Sequence, residues 1–62
     1  MPVIQVELTH QSKEKKKEII EKVTQTMVEV TNIPAQSFTV IINEHEPEDI
    51  GVGGVPLSER HK

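Results

Sequence analysis

The chain has 62 residues, of which 34% are hydrophobic; Phe38 is its one aromatic residue, and cysteine is absent. That is enough for one domain, residues 1–62, with no disulfide or cysteine–zinc site to steady it. The net charge is −3, with five lysines balancing five glutamates over residues 1–33 and two basic against five acidic residues over 34–62. This excludes the broad basic surface that nucleic-acid binding requires.

The three histidines, His10, His45 and His61, lack metal-binding spacing, so no metal is expected. No apolar run approaches the ~18 residues of a membrane span, and no signal-like start is present, so a cytoplasmic protein is the default. Self-association is the stabiliser that remains for so short a chain.

Residues 2–8, PVIQVEL, read as a strand with Ile4, Val6 and Leu8 on one face and Val3, Gln5 and Glu7 on the other. Thr9, His10 and Gln11 connect it to a helix over 12–31. Ser12 is the expected N-cap, and Glu14 sits in the first turn, where negative charge is favoured. Ile19, Ile20, Val23, Met27 and Val30 recur at helical spacing and predict the packed stripe. The stripe is β-branched and lacks alanine, so packing rather than propensity must hold the helix. Asn32 is the expected left-handed C-cap, and Pro34 stops the helix.

Residues 34–37 read as a turn or a single helical turn and 38–43, FTVIIN, as a second strand. Its run Val40-Ile41-Ile42 is apolar on both faces, as in a strand covered on each side. A charged segment, 44–49, leads to a glycine-rich hairpin over 50–56 and a lightly held tail, LSERHK. Some thirty residues separate the strand starts, which suits a right-handed β-α-β crossover with parallel strands. One helix covers only one face of a two-stranded sheet. The other apolar face and both edges predict an oligomer.

Pro2 carries the first chemical signal. Removal of Met1 leaves a free secondary amine, and an apolar cleft lowers the pKa of such a group below the ~8 of an ordinary amino terminus. A neutral prolyl nitrogen is a general base or an amine nucleophile. The plain alternative is a proline that merely opens a strand, where its missing N–H costs nothing.

The whole chain resembles the 4-oxalocrotonate (2-hydroxymuconate) tautomerase family. The resemblance rests on Pro2-Val3-Ile4-Gln5-Val6, on the helix opening Ser12-Lys13-Glu14-Lys15-Lys16-Lys17-Glu18-Ile19-Ile20, on Phe38-Thr39-Val40-Ile41-Ile42 and on Ile50-Gly51-Val52-Gly53-Gly54. It implies an α/β, β-α-β tautomerase fold: two parallel strands, one long helix and a C-terminal hairpin, completed by oligomerisation as a homohexamer, a trimer of dimers. It also implies an isomerase without cofactor or metal. In such an enzyme Pro2 moves a proton along a 2-hydroxydienoate or related small enol or keto acid.

The chain departs from the family pattern at three places. The glycine-arginine pair after the first strand is missing, and Thr9-His10-Gln11-Ser12 stands there, one residue shorter. Thr39 stands where the family carries a second arginine, and Ile50 replaces the aromatic before the glycines. Arg60, the one arginine, is in the tail. Two cationic forks for carboxylate and enolate charge are therefore missing.

Substrate binding then falls to Thr39 as a hydrogen-bonding group and Ile50 as a wall, with Val3, Ile4 and Val52 as further apolar lining. The dienolate charge is to be met by backbone N–H groups at the pocket, or by Lys13, His10 or His45. His45 lies between Glu44 and Glu46, whose charges are expected to favour its imidazolium form. Phe38 and Met27 are expected in packing roles. Other proline-dependent chemistry, dehalogenation or decarboxylation, and a non-catalytic oligomer are the competing functions.

Overall fold

The computed structural model describes residues 2–59. Strand β1 is Val3–Leu8, helix α1 Lys13–Thr31 and strand β2 Thr39–Glu44, followed by the short strands β3, Gly51–Val52, and β4, Val55–Pro56. Single 3-10 turns occupy Ala35–Ser37, Pro47–Asp49 and Leu57–Glu59. β1 and β2 pair in parallel, Val3 opposite Thr39 through Leu8 opposite Glu44, with α1 as the crossover. This is the expected β-α-β arrangement. β3 and β4 form a separate antiparallel hairpin.

Local chemistry explains the boundaries. The Ser12 hydroxyl accepts the Lys15 N–H at 3.1 Å, and Glu14 lies in the first turn. At the other end Asn32 adopts φ 62°, and its N–H reaches the Val28 carbonyl at 2.8 Å. The hairpin turns on Gly53 and Gly54, at φ 62° and 84°. A two-residue turn with both central residues at positive φ matches the twist of the flanking strands, and glycine adopts it without steric cost.

The strands are displaced slightly from their expected spans. Pro2 precedes β1, although its carbonyl still accepts the Thr39 N–H at 3.0 Å. Phe38 precedes β2, because its own N–H closes the 3-10 turn onto Ala35 rather than joining the ladder. β2 instead continues through Glu44. The start of the tail is better held than expected. Leu57 is half-buried, and its N–H donates to the Ile50 carbonyl at 2.8 Å.

Side-chain alternation gives the sheet two unlike faces. Ile4, Val6, Val40 and Ile42 are half-buried and share one face with Leu8 and Glu44; Val3, Gln5 and Ile41 are exposed on the other. No described residue is fully buried. Met27, expected in a core, is half-buried, like Ile19 and Val23. Val30 and, to a lesser degree, Ile20 depart from the predicted stripe, at 74% and 40% exposure. A 19-residue helix runs about 28 Å and a six-residue strand about 20 Å, so α1 is longer than the sheet it covers. A second apolar strip lies on the flank of α1. Ile20, Thr24 and Val28 line a groove of about 470 Å³ that reaches Ala35.

Among the described residues no helix is long and apolar enough to cross a membrane.

Candidate active site

The parallel register sorts the site residues into two groups. Pro2 is half-buried at the head of β1, beside Thr39 at the head of β2. Lys13 and His45 lie beyond the opposite ends of the two strands, where the His45 N–H donates to the Leu8 carbonyl at 2.8 Å. Six residues of strand separate the groups by about 20 Å. Ile50 lies past the 3-10 turn at the base of the hairpin, where its N–H returns to the Pro47 carbonyl. One protomer therefore brings Pro2 to Thr39, but not to Lys13 or His45.

Concavities open along α1, lined by residues of the helix and in places by Ala35 or Ile42, rather than by Pro2, Thr39, His45 or Ile50. One of them, of about 550 Å³, is lined by Lys13, Lys16 and Lys17 together with Ile20 and Ile42.

The distal end of the sheet carries two polar clusters on opposite faces. On the uncovered face Asn43 and His45 meet Glu7. The Asn43 amide donates to Glu7 Oε2 at 2.9 Å, and His45 Nε2 lies 2.5 Å from Oε1. These hydrogen bonds, His45 first and then Asn43, hold the Glu7 carboxyl below its ordinary range.

On the helix-covered side His10 lies between two carboxylates. Its Nε2 is 2.6 Å from Glu46 Oε2, and its Nδ1 is 3.5 Å from Glu44 Oε1. The hydrogen bond and charge of Glu46, then those of Glu44, raise the His10 pKa above the ordinary imidazole value. Glu44 also accepts the Gln11 N–H at 2.9 Å and pairs with Lys16 at 3.4 Å. The Gln11 bond, with Lys16 and His10 behind it, lowers the Glu44 pKa.

These contacts correct the expected surroundings of His45. Glu44 and Glu46 do flank it in sequence, but both face His10, and Glu44 also meets Lys16 and the Gln11 N–H. The carboxylate that meets His45 is Glu7, from the neighbouring strand. Strand alternation is the cause: residues 43 and 45 point one way, 44 and 46 the other. Of the three cations considered for substrate, His10 and His45 are engaged. Lys13 alone has no carboxylate partner among the described residues. Arg60 and His61 lie outside the described residues, as does Met1.

Sequence reasoning missed Glu7 altogether. Its signal was available in the parity of a β1 carboxylate and of Asn43 and His45 two residues apart on β2.

The family model described as "Tautomerase enzyme" matches residues 2–60. The chain belongs to that family. It is 37% identical over 60 residues to the 2-hydroxymuconate tautomerase of Comamonas testosteroni, covering 95% of each chain. Among solved structures it is similar to TomN, a 4-oxalocrotonate tautomerase homologue in the tomaymycin biosynthetic pathway. That likeness has 32% identity and a TM-score of 0.92, and covers 95% of this chain and 92% of TomN. DmpI from Helicobacter pylori gives 32% identity and a TM-score of 0.88, covering 95% of this chain and all of DmpI. The protein is thus a tautomerase-family enzyme, with activity of the keto–enol isomerase type.

Proposed function

We propose that the enzyme tautomerises a 2-hydroxydienoate or related enol acid, with Pro2 as general base once Met1 is removed. The observation that carries this reading is the position of Pro2 in a full-length tautomerase match. It heads β1 at the rim of the sheet, where its carbonyl is fixed by the Thr39 N–H and its nitrogen lies outside the ladder. The nitrogen takes the hydroxyl or allylic proton of the dienol and returns it to the far carbon of the conjugated system. Apolar lining from Val3, Ile4, Ile50 and Val52 keeps the amine neutral. Thr39 hydrogen-bonds a substrate oxygen. Neither metal nor cofactor enters the step.

The site is assembled from more than one copy of the chain. Lys13 and His45 stand about a strand's length from the Pro2 of their own protomer, so they serve a neighbour's Pro2. The open sheet face and the Ile20–Thr24–Val28 flank are the surfaces that association covers. A homohexamer built as a trimer of dimers, in the cytoplasm, is the assembly proposed. Lys13, with its ammonium uncommitted, holds the substrate carboxylate and the dienolate charge. With His10 and His45 already paired, one lysine suits a singly charged acid better than a dicarboxylate.

Extending the chain by one residue ahead of Pro2 tests the base directly. The nitrogen becomes an amide without an available lone pair, while the packed surfaces are unchanged. The extended protein is expected to assemble normally and to lose at least about a hundredfold in rate, the lower end of general-base contributions. An assembled variant with full activity would show that Pro2 only opens the strand.

A further inference from the structure

The hairpin β3–β4 packs through β4 on the 3-10 turn at Pro47–Asp49, which itself packs on the turn at Leu57–Glu59. Its orientation relative to the sheet is therefore set at the junction where β2 ends, at residues 44–46. Glu46 is the pivot of that junction. It is the N-cap of the Pro47–Asp49 turn, and its carbonyl accepts the Asp49 N–H at 2.8 Å.

His10 reaches this pivot from the β1–α1 connection, 36 residues away in sequence. Its two ring nitrogens face two different carboxylates, Glu46 at 2.6 Å and Glu44 at 3.5 Å. Neutral imidazole has one N–H; only imidazolium donates from both nitrogens. With a carboxylate facing each nitrogen, imidazolium is the form of the ring that can donate to both. Lys16, 3.4 Å from Glu44, and the Gln11 N–H hold Glu44 in place for it.

We propose that His10 is a positioning residue whose imidazolium ties Glu46 to Glu44, fixing the base of the hairpin that carries Ile50 and so the wall of the substrate site. The link to substrate rests on the tautomerase reading of Ile50; the link to the hairpin does not. The charged groups facing His10 are Glu44 at the end of β2 and Glu46 beyond it, with Lys16 of α1 behind Glu44. The raised His10 pKa sets the direction. The bridge is complete below the ordinary imidazole value and is lost as pH rises through the higher, folded value.

The test compares the wild-type assembly with His10→Arg, which keeps a charged, forked donor at every pH, and with His10→Ala, which has none. Amide exchange of residues 50–57 in the absence of substrate reads the hairpin alone. At about pH 5.5 the wild type and His10→Arg should be protected alike and His10→Ala less so. At about pH 9 the wild type should fall toward His10→Ala by up to about fivefold, the ceiling for an exposed ion pair. In enol-acid turnover the KM of the wild type should rise over that range by a similar factor relative to His10→Arg, with little change in kcat. Equal protection of wild type and His10→Arg at both pH values, or of His10→Ala and wild type at the lower one, would overturn the proposal. If protection moves and KM does not, the latch stands and the assignment of Ile50 to the substrate wall fails.

Discussion

The two ends of the parallel strand pair differ in what holds them and in what they offer. At the Pro2 end a backbone hydrogen bond joins Thr39 to Pro2, and from there to mid-strand the exposed apolar side chains Val3 and Ile41 lie on the uncovered face. At the far end Glu7, Asn43 and His45 lie on one face and His10, Glu44, Glu46 and Lys16 on the other, all hydrogen-bonded or ion-paired. An amine base must stay neutral and needs the apolar end. The substrate carboxylate and the developing enolate charge need the cations of the other. Six residues of strand keep them apart within one chain, so the proposed chemistry and the proposed assembly are one problem.

The largest expected effect follows from breaking the open apolar face. Ile41 is 40% exposed at the centre of the open face, where a second copy is expected to cover it. Ile41→Asp would place a carboxylate in that contact, and an unpaired charge is poorly tolerated once water is removed. The variant is expected to lose association at micromolar concentration, and with it nearly all activity. Sedimentation of the wild type should give a multiple of the 7.0 kDa protomer, with a thermal midpoint that rises with protein concentration. A wild-type monomer that melts cooperatively at a concentration-independent temperature would remove the basis of the composite site.

A smaller effect sharpens the charged end. Lys13→Ala should raise KM for a singly charged enol acid by about tenfold, as expected for one charge-assisted hydrogen bond, while assembly is retained. The wild type should also turn over 2-hydroxymuconate less efficiently than a monocarboxylate of the same kind. Equal efficiency at low ionic strength would mean that more than one cation faces the substrate, and would bring His45 back as the second.

Most of the fold was legible because its boundaries are local. Ser12, Asn32 and the Gly53–Gly54 pair each act within a few residues, and each does in the structure what its chemistry implies. Pro2 was legible as a chemical possibility for the same reason. The distal clusters were harder to read. The run from Glu44 to Asp49 looks like one acidic patch around His45 until strand alternation divides it, and Glu7 enters only through the register of β1 against β2. The Ile20–Thr24–Val28 flank was missed because Thr24 is not apolar enough to mark a stripe. Where partners come from a different element, residue type alone did not identify them.

The smallest effect distinguishes the two faces of the charged end by the direction of their pH dependence. Glu7 is held below its ordinary pKa by His45 and Asn43, so its interactions stabilise the protein above the unfolded carboxyl value of about 4.3. That contribution is lost as pH falls through the lower, folded value. His10 behaves oppositely, because its raised pKa gives a contribution that disappears as pH rises. Denaturation midpoints of the wild type and Glu7→Gln should therefore differ at about pH 6 and converge well below pH 4.3, with the wild type the more stable where they differ. Both groups are exposed, and the difference should be small, as for surface pairs generally. A difference between the two proteins that stays constant from about pH 6 to pH 3 would mean that Glu7 contributes through its shape rather than its charge. The cluster with Asn43 and His45 would then be a hydrogen-bonded edge of the sheet, with no electrostatic part in holding that face.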